Sequence, residues 1–216
     1  MVLIMFIFRR LKKSNLKNKF LILLFPCLLS FFCSGQKLSR HEWCWALGHP
    51  VAAIKVKIIS KKCFSVFKNV NKNELDTYSN GGKLDAFRHA FYFAAFAQKV
   101  KIKKLRKLGI AHEKTNYRQF LKLKEENGEV PDSLGMVMDL KNNELGLLIG
   151  SQNKHIGLSA LEKLIIQEIK KGSAFIILRN KLGNYVNCNG ETILETNEKK
   201  WKTDKCLVSS DKIFNP

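Results

Sequence analysis

The chain has 216 residues, 38 Lys and Arg against 18 Asp and Glu, and a net charge of +20. That length suits one ordinary domain with a short appendage, and the absence of any Cys-x-x-Cys pair argues against zinc-finger or thioredoxin-type chemistry. The basic excess is mostly lysine spread from Lys55 to Lys212, without helix-turn-helix spacing or an aromatic-and-basic stacking motif, so nucleic-acid binding is not expected.

Residues 1–35 do not look like part of a folded domain. Arg9, Arg10, Lys12, Lys13, Lys17 and Lys19 come with no acid. Residues 20–32 are apolar except Ser30, and Cys33, Ser34 and Gly35 follow. A basic stretch, a short apolar stretch and small residues form the layout of a secretory signal. The apolar run falls short of the roughly 20 residues that span a bilayer. Cleavage after Gly35 is the preferred expectation. Lipidation at Cys33, where Phe31 and Phe32 fit poorly, and an uncleaved anchor are the alternatives. Either way the protein is expected to be exported, periplasmic or secreted, with any membrane contact made through residues 1–35. Without those residues the net charge is +14.

Residues 36–172 are expected to form a compact multi-helix domain. Pro50 suits a first helical position. Val51, Ile54, Ile58, Ile59, Val66 and Phe67 then recur at helical spacing. Asn80-Gly81-Gly82 is a break, and residues 71–83 are the expected flexible connection. Leu84 to Val100 is apolar nearly all round, as a central helix is. A helix is expected from about Lys103 to Glu126, interrupted or bent near Gly109, then a loop to Gly135 and a helix from Met136 to Ile149. Ser159 followed by Glu162 is a capping-box signature for a helix through Lys171. Residues 173–216 are expected to form a small β-rich appendage. Ala174–Leu178 is strand-like, Tyr185, Val186, Ile193 and Leu194 suit short strands, and Trp201, Cys206, Leu207 and Val208 give the tail something to bury. Cys44, Cys63, Cys188 and Cys206 allow three pairings. Cys188–Cys206 is favoured because both lie in the tail, with free buried thiols as the alternative. The fold class is mainly α.

Three strings concentrate the polar chemistry: Asp85-Ala-Phe-Arg88-His89-Ala90, Ala111-His112-Glu113 and Met138-Asp139-Leu-Lys-Asn142-Asn143. Polar groups among core-forming residues must be paired, because unpaired burial costs roughly 2–7 kcal/mol. Asp85 and His89 share a helix face at a spacing of four, where a carboxylate orients an imidazole or joins it on a metal. Arg88 should point elsewhere, toward Glu113 or Asp139. His112 and Glu113 cannot face the same way, and Asn116 stands where a zincin would need its second His, which argues against that protease class. Asp139, Asn142 and Asn143 can share a face. The catalytic candidates are therefore His89, Asp85, Arg88, His112 and Glu113. His89, Asp139 and Asn143 are the candidate ligands of a divalent metal ion.

NGGKLDAFRHAFYFA at 80–94, LGIAHEKTNY at 108–117, NGEVPD at 127–132 and MDLKNNELG at 138–146 together resemble an exported bacterial family, domain of unknown function 6973. EWCWALGHPVAA at 42–53 is similar to the family's Trp-rich opening, and the resemblance covers most of residues 42–208. It implies Asp85, Arg88, His89, His112, Glu113, Asp139, Asn142 and Asn143 as the family's polar positions, without implying an activity. Tyr92 stands where a Trp is expected, and Val137 where a polar or acidic residue is expected.

Two functions follow as expectations. One is a hydrolase of the cell envelope or outside, acting on a small-molecule or envelope substrate through the His/Asp/Glu cluster, with or without a metal. The other is a non-enzymatic envelope or secreted binding protein whose cluster is a structural core network. A site requires the cluster to converge beside an opening, whereas structural glue would be sealed and fully paired.

Overall fold

The computed structural model describes residues 38–70, 74–125, 128–193 and 200–212. The leader expected over residues 1–35 lies outside them, as does Leu194. Among the described residues six helices run in order: α1 Arg40–Gly48, α2 Pro50–Lys68, α3 Lys83–Ala97, α4 Ile102–Phe120, α5 Ser133–Gln152 and α6 Leu158–Lys170. Two short strands, β1 Phe175–Ile177 and β2 Leu207–Ser209, pair antiparallel with Phe175 opposite Ser209. The chain divides between Leu38 and Ser39, and every one of these elements belongs to the second unit. No described helix is long and apolar enough to cross a membrane.

Helix α3 is the centre of the domain, because its apolar residues leave it no face to solvate. Phe87, Ala90, Phe91 and Ala94 are all fully buried, and Phe87 and Phe91 stack at 5.2 Å. One side of α3 packs with Cys63 of α2, Leu161, Ile165 and Ile169 of α6, and Ala174 and Ile176. The other packs through Phe93 and Phe96 with Trp45 of α1, Leu105 of α4 and Leu147 of α5. The Trp45 indole also donates to the Lys104 carbonyl at 2.8 Å. Helices α3 and α5 touch backbone to backbone: a Cβ on Gly146 or Gly150 would run into the carbonyl of Ala90 or Ala94. That approach brings the polar side chains of the two helices within bonding reach of each other.

Several local expectations need correcting. Helix α4 continues through Gly109 without a break; the glycine is there for space, since a Cβ would sit 3.2 Å from Asn143 Nδ2 and 3.4 Å from the Phe93 ring. Helix α6 starts after Gly157 with no side-chain cap. The capping box lies at α1 instead, where Ser39 and Glu42 satisfy each other's amides. Residues 76–83 are tied down rather than loose, because the Asp76 carboxylate accepts from the amides of Tyr78, Lys83 and Leu84. Strand β2 has no expected counterpart in the tail. Pro50 does open α2, and Cys188 and Cys206 form a disulfide. Cys63 is free and buried, and Cys44 free and exposed.

Candidate functional site

Asp85 and His89 project from the same turn of α3, and Asp139 and Asn143 meet them from α5. His89 Nε2 lies 3.3 Å from Asp139 Oδ1 and 3.5 Å from Asp85 Oδ1. Its other nitrogen, Nδ1, lies 3.2 Å from Asn143 Oδ1. The Asn143 carbonyl facing Nδ1 suits the tautomer protonated there, which leaves Nε2 free to accept from Arg88 Nη2 at 3.4 Å. All four side chains are buried. Burial first, then the positive Arg88 and the neighbouring His112, push His89 well below its ordinary pKa, against the opposing pull of the Asn143 bond. The imidazole is therefore neutral at neutral pH, the form that binds metals.

Arg88 turns onto its own helix and not toward Glu113 or Asp139. Its Nη2 donates to Asp85 Oδ1 at 2.6 Å and lies 3.4 Å from His89 Nε2. Asp85 Oδ2 accepts from the Gly81 amide at 2.7 Å. Gly81 has a φ of +71°, which glycine adopts without strain. Its own carbonyl accepts from Ile177 of β1 at 2.7 Å. The asparagines of α5 divide their work. Asn143 orients His89, while the fully buried Asn142 clamps the backbone of Phe175, donating to its carbonyl and accepting from its amide, both at 2.9 Å.

The pair on α4 splits as its adjacency requires. His112 is part-exposed, and its Nδ1 donates to Glu42 of α1 at 3.0 Å. Its ring centre is 6.5 Å from that of His89. Glu113 is buried and accepts from Asn116 Nδ2 at 3.2 Å. Asn116 Oδ1 and Asn143 Nδ2 are buried with no hydrogen-bond partner among the described residues.

Asp85, Arg88, Asp139 and Asn116 line a small cleft of about 60 Å³, and His89 lies against two of them, 3.3 Å from Asp139 and 3.5 Å from Asp85. That is room for a few waters or one small polar group. Glu129 and Asp132, from the loop before α5, and Ile177, Tyr185 and Lys205, from the C-terminal segment, form the facing wall. The wall is a stack. Arg179 lies over the rings of Tyr78 and Tyr185 at 4.3 and 3.7 Å, and Lys205 lies over Tyr185 at 3.8 Å. Glu129 accepts from Arg179 and from the Tyr185 hydroxyl, and Asp132 from Lys205 at 2.7 Å. Asp132 also caps α5 through the amides of Leu134 and Gly135. Sequence reasoning did not single out Glu42, Asn116, Tyr185 or Lys205 as site residues. Glu129 and Asp132 carried a signal in the NGEVPD string, but no pattern links the tail residues to the helices.

A family model, described as Domain of unknown function (DUF6973), matches residues 43–173. The chain belongs to this family. The DUF6973 region contains Asp85, Arg88, His89, His112, Glu113, Asp139, Asn142 and Asn143, while Ile177, Arg179, Tyr185 and Lys205 lie beyond it. No curated protein and no solved structure matches the chain.

Proposed function

We propose that this domain is a hydrolase whose centre is a divalent cation held by Asp85, His89 and Asp139. The observation that carries the reading is the convergence itself. One ligand atom from each residue lies within 4.8 Å of the others, and all three residues are buried. An imidazole nitrogen and two carboxylates brought this close are a donor set that suits a divalent cation. Electrostatics supports the same reading. In a chain of net charge +20, the cleft is lined by four carboxylates, Asp85, Glu129, Asp132 and Asp139, against Arg88 and Lys205.

Three protein ligands would be fewer than a structural site uses, and two of them, Asp85 and Asp139, line the cleft. Asp85, His89 and Asp139 would hold the cation, which when bound would supply Lewis-acid activation of a water. Asn143 fixes the His89 tautomer from the second nitrogen, the role that outer partners of metal-bound histidines play. Arg88 stands at the rim, suited to developing negative charge. The His112–Glu42 pair is the adjacent group able to move a proton.

Export fits the same picture. The basic and apolar segments of residues 1–35 have the layout of a secretory signal, and a Cys188–Cys206 disulfide belongs to an oxidising compartment.

The structural-network reading has one observation in its favour: Arg88 reaches both Asp85 and His89 and can supply the positive charge by itself. Elemental analysis of the purified protein separates the two. One bound divalent ion per chain, lost in His89→Ala and Asp139→Ala, together with hydrolysis of ester, phosphoester, peptide or glycoside probes by the loaded protein, is expected. A metal-free chain that takes up no divalent ion in titration would overturn the proposal.

A further inference from the structure

The outer face of α4, the helix that carries Glu113 and Asn116 inward, has a pronounced chemical character and, among the described residues, is touched only at its edges, where Tyr117 meets Trp201 at 4.8 Å and Arg106 meets Glu144 at 2.8 Å. At 3.6 residues per turn, Lys103, Arg106, Lys107, Ile110, Lys114, Tyr117, Arg118 and the C-cap Leu121 fall within about 120° of one another and run for about 27 Å. All eight are exposed. Five are cationic, three are apolar, and none is acidic. Ile110, Tyr117 and Leu121 are exposed to 48, 43 and 62% of their surface, between the cations rather than apart from them. Among the described residues, Arg106 alone of the five cations is matched by an acid, Glu144 of α5 at 2.8 Å.

We propose that this face of α4 is a docking surface for an anionic phospholipid bilayer. The argument rests on charge and on the apolar side chains together. A lipid interface offers negative headgroups for lysine and arginine and an acyl boundary for isoleucine, leucine and tyrosine in the same plane. A nucleic-acid backbone matches the cations but gives Ile110 and Leu121 nothing to be buried in. The chain's own first 35 residues carry six positive charges and no negative one. Those same residues, basic and then apolar, have the pattern of a segment that meets a bilayer. The surface is independent of the centre at Asp85, His89 and Asp139.

The test is residue-resolved amine footprinting of the full chain with vesicles of phosphatidylcholine alone or with added phosphatidylglycerol. Every variant keeps the leader, so local reactivity decides the matter, not pelleting. Lys103, Lys107 and Lys114 are expected to lose reactivity by about threefold or more on anionic vesicles only, while the exposed Lys154 and Lys163 keep theirs. Ile110→Ser/Leu121→Ser is expected to abolish most of that protection with the thermal melt unchanged. Equal reactivity of all five lysines with and without anionic vesicles would overturn the proposal. So would protection that persists in the double variant and is reproduced by an RNA of similar charge, which would assign the face to nucleic acid.

Discussion

Asp139→Asn separates a cation centre from a structural network, because it removes a charge and keeps the shape. In the metal-free chain the Asp85 and Asp139 oxygens lie within 4.8 Å. At an effective dielectric constant of about 20, two unit charges at that distance repel by about 3.5 kcal/mol. Arg88, at 2.6 Å from Asp85, offsets part of this. Neutralising Asp139 should therefore leave the metal-free protein within about 1 kcal/mol of wild type, or more stable, since the repulsion from Asp85 is relieved and the shape is kept. With a divalent cation at a hundred times its dissociation constant, the wild type should gain about 2.7 kcal/mol, and the variant nothing. Urea unfolding in chelator and in added cation measures both differences. A loss of about 3–5 kcal/mol in chelator, with no gain from the cation in wild type, would refute the reasoning, because that is the cost of breaking a buried pair whose charges hold the fold together.

Asn142→Ala should lower stability by about 3 kcal/mol in the same unfolding assay, because it strands both the amide and the carbonyl of Phe175 where Asn142 now satisfies them. Gly146→Ala should cost about 3 kcal/mol or more and weaken cation binding as well, since a Cβ there meets the Ala90 carbonyl and must push α5 away from α3; calorimetric titration reads the affinity. Reduction of the Cys188–Cys206 disulfide, which closes a loop with a sequence separation of 18, should cost about 3 kcal/mol and lower the melting temperature, an effect absent from Cys188→Ser/Cys206→Ser. Glu42 gives a pH dependence. Burial pushes its carboxyl up, but the His112 bond, the Ser39 amide and the His112 charge outweigh burial and hold it below the ordinary value of 4.5. A folded-state pKa below the unfolded one contributes stability above the unfolded value, lost as pH falls through the folded one. The melting temperatures of wild type and Glu42→Gln should thus differ near neutrality and converge below pH 4.5.

What could be read from the sequence was local. Helical spacing, an all-apolar α3 and the turn residues gave a mainly helical domain with a β-rich tail. The i, i+4 relation of Asp85 and His89 held because one turn of helix enforces it. The same reasoning failed for Arg88, since a long side chain at i+3 from Asp85 reached back along its own helix rather than out to another. It failed again at Ser159, where a capping pattern stood one residue inside the helix start.

The amino-acid order of residues 85–89 and 138–143 by itself determined which polar groups had to find partners inside the core. Which partners they found was decided only by tertiary packing. The small residues Gly146 and Gly150 let α5 rest on the backbone of α3, and that distance, not any spacing along the chain, put Asp139 and Asn143 on opposite nitrogens of His89. Tyr185 and Lys205 reached the cleft because Asn142 grips β1 and the disulfide folds the tail back. Contacts between residues tens of positions apart depend on how helices are stacked, and sequence periodicity carries no information about that.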